Sequence, residues 1–141
     1  MYDTNNYNKG FYLSIGKQGS GKTILITKLL VDNLKEHPNR KVFSNYTLFG
    51  IDYQPIAFNT DNEHNKDKLN ILDMLDQDVN YFNNSIMLLD EIHVDLDSLD
   101  FMKKNNRRMQ VFFSQLRKRN ILLLGTTQYL MNVDVRLRRQ C

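Results

Sequence analysis

Eight consecutive residues, Gly16-Lys17-Gln18-Gly19-Ser20-Gly21-Lys22-Thr23, satisfy the pattern G-x-x-x-x-G-K-[ST] in full. The pattern has a specific chemical use. Glycines let the backbone curl so that successive N–H groups point inward and make a concave seat for phosphate oxygens. A helix starting directly after the loop adds its positive end to the same seat. The seat then comprises Gly16, Gln18, Gly19, Ser20, Gly21, Lys22, Thr23 and Ile24, with Lys22 reaching the β- and γ-phosphates and Thr23 offering a hydroxyl to Mg²⁺. From average residue frequencies, a chance match arises in roughly one such chain in a few hundred. The expected ligand is ATP with Mg²⁺.

A second cluster is Ile86-Met87-Leu88-Leu89-Asp90-Glu91, an apolar run that ends in two acids. In a P-loop fold such a strand delivers Asp90 to the Mg²⁺ shell. The expectation is that it lies beside the P-loop strand. Glu91 is then placed to polarise a water for in-line attack on the γ-phosphate, which favours hydrolysis over phosphoryl transfer to another acceptor. A third is Leu122-Leu123-Leu124-Gly125-Thr126-Thr127-Gln128, where the amide of Gln128 can donate and accept hydrogen bonds and so sense the γ-phosphate. A fourth is Gln115-Leu116-Arg117-Lys118-Arg119-Asn120. Arg117 or Arg119 could stabilise charge on a transferring phosphoryl group, best in a neighbouring subunit, or simply complement a helix end. Arg136, Arg138 and Arg139 form a further set with the same two readings. His37, His64 and His93 have no metal-ligand spacing. His93 follows the acid pair closely enough to tune Glu91, although a plain surface or core role is the commoner reading of such a histidine.

These residues need elements to hold them. Gly10–Ile15 reads as a strand, Lys22–Leu34 as a helix broken by Pro38-Asn39, and Lys41–Ser44 as a second strand. Ile24, Leu25, Leu29 and Val31 crowd that helix with more apolar surface than a purely surface helix needs. Tyr46–Phe58 reads as a hairpin or an irregular insertion, and Asn59–Lys66 as a loop. Leu69, Ile71, Leu72 and Leu75 suggest a short helix. Ser85–Leu89 is apolar throughout, as expected of a parallel strand covered on both faces. Met109, Phe112, Phe113 and Leu116 fall on one face of a helix over Arg107–Arg119, with a strand at Ile121–Leu124 after it. Alternating strands and helices predict an α/β fold, a RecA-like P-loop NTPase with a mostly parallel sheet and helices on both faces.

The chain of 141 residues suits one domain spanning 1–141. One cysteine, Cys141, excludes an internal disulfide. Met1–Lys9 is polar with no apolar signal core, and no apolar run approaches the ~20 residues of a membrane span. The plain expectation is a soluble protein of the cytoplasm. Net charge is only +3, so distribution matters more: Lys103, Lys104, Arg107, Arg108, Arg117, Lys118 and Arg119 gather late, after acids clustered between Asp73 and Asp100. That basic stretch is either a solvated face or a surface for phosphate.

Taken together, G-K-Q-G-S-G-K-T, R-K-V-F-S-N-Y at Arg40–Tyr46, L-L-D-E-I-H, Q-L-R-K-R-N, G-T-T-Q and D-V-R-L-R resemble the FtsK-HerA branch of P-loop ATPases. Within it, the chain is most similar to viral genome-packaging ATPases and to zonular-occludens-toxin-like phage assembly ATPases. The resemblance runs from about Gly10 to Arg138. It implies roles for Lys22 and Thr23 at phosphate and Mg²⁺, for Asp90 and Glu91 in hydrolysis, for Gln128 as sensor, and more loosely for Arg117 across subunits. It also implies a homo-oligomeric ring, hexameric or pentameric, acting on double-stranded DNA, with a viral capsid or portal as partner and a place in host cytoplasm or virion. Relatives often carry an arginine where Leu99 stands, and they usually continue past the D-V-R-L-R segment, which leaves open a fragment or a minimal core. The leading expectation is a DNA-translocating motor for genome packaging. The alternatives are a phage assembly or extrusion ATPase at a membrane, and a nucleotide-gated binding module with negligible turnover.

Overall fold

The apolar runs become strands because their side chains alternate between two covered faces. The computed structural model describes residues 9–17, 19–58, 60, 63–92 and 99–128. Its strands are β1 (Gly10–Ile15), β2 (Lys41–Ser44), β3 (Gln54–Ala57), β4 (Leu69–Asn70), β5 (Ser85–Leu89) and β6 (Leu122–Thr127). They form one sheet in the order β1-β6-β5-β2-β3-β4, and every neighbouring pair is parallel. Its α-helices, among the described residues, are α1 (Lys22–Glu36), α2 (Ile71–Gln77) and α3 (Leu99–Ser114).

Ile86 and Leu88 of β5, Leu122 and Leu124 of β6 and Val42 of β2 pack with Ile26 and Leu30 of α1. The alternate residues Met87, Leu89, Leu123 and Phe43 pack on the other face with Ile71 and Leu72 of α2 and Phe112 and Phe113 of α3. Each fully buried Leu or Phe of this kind contributes roughly 1.5–3 kcal/mol. The fold is therefore the α/β architecture expected, a RecA-like parallel sheet with helices on both faces.

Four local expectations change. The acid-tipped strand β5 does not lie beside β1, because β6 is inserted between them. Leu122–Leu124 is buried on both faces, which suits a central strand, whereas β1 leaves Ile15 exposed and sits at the sheet edge. The face of α1 that meets the sheet is Ile26, Leu30 and Asn33, and Ile24, Leu25 and Val31 are exposed. The 46–58 segment is not a hairpin, since β3 runs parallel to β2. Finally, α3 begins at Leu99 and ends at Ser114. Leu116 stays in the core from a turn, where Ile121 donates to its carbonyl at 2.9 Å and Asn120 adopts φ +56°. Apolar spacing alone does not distinguish that turn from another helical turn.

The amino-terminal end of the sheet is fixed by a buried guanidinium. Arg40 donates to Asn33 Oδ1 at 2.7 Å and to the carbonyl and Oδ1 of Asn120 at 3.0 and 3.1 Å. Asn120 in turn donates to Asn84 Oδ1 at 2.7 Å. These partners are neutral, and burial pulls the Arg40 pKa below its ordinary value. The cluster joins the end of α1 to the segments that lead into β2, β5 and β6, leaving the carboxyl end of the sheet for chemistry.

Candidate active site at the carboxyl edge of the sheet

The glycine-rich loop leaves β1 still paired to β6, through Gly16 N–H donating to the Thr127 carbonyl at 3.2 Å. A Cβ on Gly16 would lie 2.7 Å from Ser20 Oγ, so a larger residue there would have to turn the Ser20 hydroxyl aside. Gly21, the N-cap of α1, has φ +87°, a left-handed conformation that costs an ordinary residue about 1–2 kcal/mol. α1 then starts with no side-chain cap and no acid in its first turn, so its leading N–H groups are available to an anion. Lys22 Nζ lies across the loop mouth, bonded to the carbonyls of Gly16 at 2.5 Å and Lys17 at 3.0 Å. Ser20 and Gly19 are exposed on the loop. Ile24 has a 76% exposed side chain, which limits its share of the seat to its backbone N–H. Gln18 lies outside the described residues.

Across the loop, the Asp90 carboxylate is held from two strands' worth of sequence away. Thr23 Oγ1 donates to Asp90 Oδ1 at 2.9 Å, and Thr126 Oγ1 donates to the same oxygen at 2.6 Å. The Thr126 hydroxyl also accepts from Glu91 N–H at 2.7 Å. Thr126 is fully buried, and its one hydroxyl fixes both acids of the pair. Glu91 has φ +49°, which turns the chain out of the sheet and leaves this residue exposed beside Asp90. Positive φ at a non-glycine residue persists only where surrounding bonds hold it, and the Thr126 bond does so here. Gln128 is half-buried one residue beyond β6, between the ends of β1 and β5. The inserted strand thus brings Lys22, Gln128, Asp90 and Glu91 to one edge.

A further layer lies behind the acids. Asn45 exchanges two hydrogen bonds with the Asp90 peptide, Nδ2 to the carbonyl at 2.9 Å and the Asp90 N–H to Oδ1 at 2.7 Å. Thr27 donates to the Thr23 carbonyl at 2.7 Å, and its hydroxyl pairs with that of Tyr46 at 2.8 Å. Burial raises the Tyr46 pKa, the Thr27 bond lowers it, and the nearby Asp90 charge raises it, with a net upward shift.

The family model for zonular occludens toxin (Zot) matches residues 10–141. The chain belongs to the Zot family. This is a family of P-loop, phage assembly ATPases, consistent with the FtsK-HerA resemblance. No curated protein sequence matches the chain.

In this Zot-family chain the basic candidates go elsewhere. Arg117 packs on Gly10, at the opposite end of the six-residue β1 from the loop, which at ~3.3 Å per residue puts it roughly 20 Å from its own phosphate seat. Arg117 therefore does not reach the phosphate seat of its own chain. Arg119 is bound to Gln115 Oε1 and the Val79 carbonyl, and Arg108 to Asp76 and the Leu72 carbonyl. Arg107, Arg117 and Lys118 remain exposed. His93, Arg136, Arg138 and Arg139 lie outside the described residues, as do the side chains of His64 and Leu99. Among the described residues, no helix is long and apolar enough to cross a membrane.

The residues present fit Mg²⁺. Thr23 and Asp90 are hard oxygen donors, the type Mg²⁺ prefers, and they meet at the mouth of the loop. Among the described residues no cluster of three or more His, Cys, Asp or Glu that could hold a metal ion is found. Sequence reading missed Asn45, Thr126, Thr27 and Tyr46 as parts of this site. The S-N-Y and T-T-Q segments carried the signal, as polar residues placed directly at the ends of buried strands.

Proposed function

We propose that this chain binds Mg-ATP and hydrolyses it to ADP and phosphate, and that the energy drives phage assembly and extrusion at a membrane. The observation that carries hydrolysis is the corner at Asp90 and Glu91. One carboxylate is locked toward the loop by Thr23 and Thr126, and the next is exposed at the same edge. Family membership supports the assembly role over genome packaging.

Lys22 exchanges the carbonyls of Gly16 and Lys17 for phosphate oxygens, and the first-turn N–H groups of α1 hold the chain of phosphates in line. Thr23 and Asp90 hold Mg²⁺, which when bound neutralises charge on the β- and γ-phosphates. Glu91 orients a water and accepts its proton as the water oxygen bonds to the γ-phosphorus. The bond from that phosphorus to the bridging oxygen breaks, and ADP leaves with the charge held by Lys22. Gln128 hydrogen-bonds the γ-phosphate or the water and so reports which nucleotide is present. Little covalent work falls to the protein; positioning and fixed charge supply the rate. Arg117 acts, in this reading, only on a neighbour's nucleotide in a homo-oligomeric ring.

Phosphate release by the full-length protein, measured with and without double-stranded DNA, tests the reading. ATP turnover that does not respond to DNA supports assembly and extrusion. Turnover that rises with DNA length replaces it with genome packaging. Tight ATP binding with no phosphate release replaces it with a nucleotide-gated module.

A further inference from the structure

We propose that Asn45 is a positioning residue of the nucleotide site, holding the main chain of Asp90 where the backbone ladder of the sheet can no longer do so. The proposal rests on the Mg-ATP reading above for what the held carboxylate does.

β2 and β5 pair in register from Lys41 and Ser85 to Ser44 and Leu88. The Asn45 N–H still reaches the Leu88 carbonyl, at 3.0 Å. One step later the ladder stops, because Glu91 at φ +49° takes its chain out of the sheet. Asp90 is therefore a residue whose N–H and carbonyl have lost a strand partner at the point where its carboxylate must be exact in direction. The Asn45 side chain supplies the missing rung. Its amide presents a donor and an acceptor side by side, matching the carbonyl and N–H of Asp90 at 2.9 and 2.7 Å.

Few side chains can do this. Asp has the same shape but two acceptors, so one oxygen would face the Asp90 carbonyl and bring a negative charge beside the carboxylate. Ala removes both bonds and leaves the Asp90 peptide unsatisfied. Gln has the right groups one methylene too far out. Asn45 is itself anchored, since its carbonyl accepts from Lys68 Nζ at 2.8 Å. The next residue, Tyr46, reaches through Thr27 to the Thr23 carbonyl. Two adjacent residues thus support both ends of the Thr23–Asp90 contact, and Asn45 touches neither nucleotide nor metal in doing so.

The test compares Asn45→Asp with the unaltered protein in two assays. The first measures ATP affinity in EDTA and again in saturating Mg²⁺. The second measures the Mg²⁺ dependence of phosphate release. A displaced Asp90 weakens the Mg²⁺ effect on both by about tenfold or more, the scale seen when residues behind metal ligands are removed. Affinity for ATP in EDTA, set by the loop and α1, stays within about twofold. Asn45→Ala carries the same comparison if Asn45→Asp melts below assay temperature. Loss of ATP affinity in EDTA in step with the Mg²⁺ effect would mean a general structural role and overturn the proposal. So would an unchanged Mg²⁺ dependence in either variant. If the unaltered protein releases no phosphate, the hydrolysis reading fails, while the two affinity measurements still decide the role of Asn45.

Discussion

Thr23 donates its hydroxyl to Asp90 Oδ1 at 2.9 Å, although 67 positions separate the two residues in the chain. Thr23 opens α1 and Asp90 closes β5, so this bond joins the phosphate seat to the acid corner. Both residues offer the hard oxygens that would hold Mg²⁺ there.

Removing either partner should separate nucleotide affinity from Mg²⁺ affinity. Asp90→Asn keeps the shape but removes the charge that attracts the ion. Its expected effect is a rise of about tenfold or more in the Mg²⁺ concentration needed for half-maximal ATP binding, with binding in EDTA unchanged. Titration of a fluorescent ATP analogue against Mg²⁺ checks this.

Thr126→Val replaces a buried hydroxyl with a methyl of nearly the same size. It leaves the Glu91 N–H without its acceptor and removes one donor from Asp90. An unmade buried hydrogen bond costs about 1–3 kcal/mol, which for a domain of this size lowers Tm by several degrees, roughly 2–4 °C or more per kcal/mol. Phosphate release should fall more steeply than stability, because Glu91 loses the bond that fixes its turn. Calorimetry and turnover on the same preparation separate the two effects.

Tyr46 gives a signature at alkaline pH. The folded protein keeps the phenol protonated above its ordinary range, through burial and then the Asp90 charge, while the unfolded chain releases that proton near pH 10. Proton binding is then greater in the folded state, and stability falls as pH rises through and above about 10. Below that pH the contribution is fully present. Tyr46→Phe removes this titration, so its Tm, measured in EDTA, should decline less between pH 9 and pH 11 than that of the unaltered protein.

The comparison of sequence with structure separates local signals from those that act at a distance. Gly16–Thr23 announces its own geometry, because the loop, the lysine and the helix start are contiguous. Ser85–Leu89 and Leu122–Thr127 are legible as strands because continuous apolar runs suit a sheet covered on both faces. The order of those strands is not legible, since no residue of β6 records which neighbours it will have. That order decides the site: with β6 between β1 and β5, Thr126 meets Asp90. The place of Asn45 at a strand end is legible but its partner is not, because its amide meets a peptide 45 residues away. On α1, Ile24, Leu25 and Val31 are apolar yet exposed, and composition does not say which stripe meets the sheet.

The most direct measurement is phosphate release from Mg-ATP by the unaltered protein and by Glu91→Gln, with ATP binding determined alongside. A glutamine keeps the size of Glu91 but cannot take a proton from water. The account predicts Mg²⁺-dependent release by the unaltered protein, and release slower by about 10²–10⁴-fold in Glu91→Gln with ATP binding retained. Release by Glu91→Gln at the unaltered rate would contradict it, as would release by the unaltered protein no greater than that of Lys22→Ala.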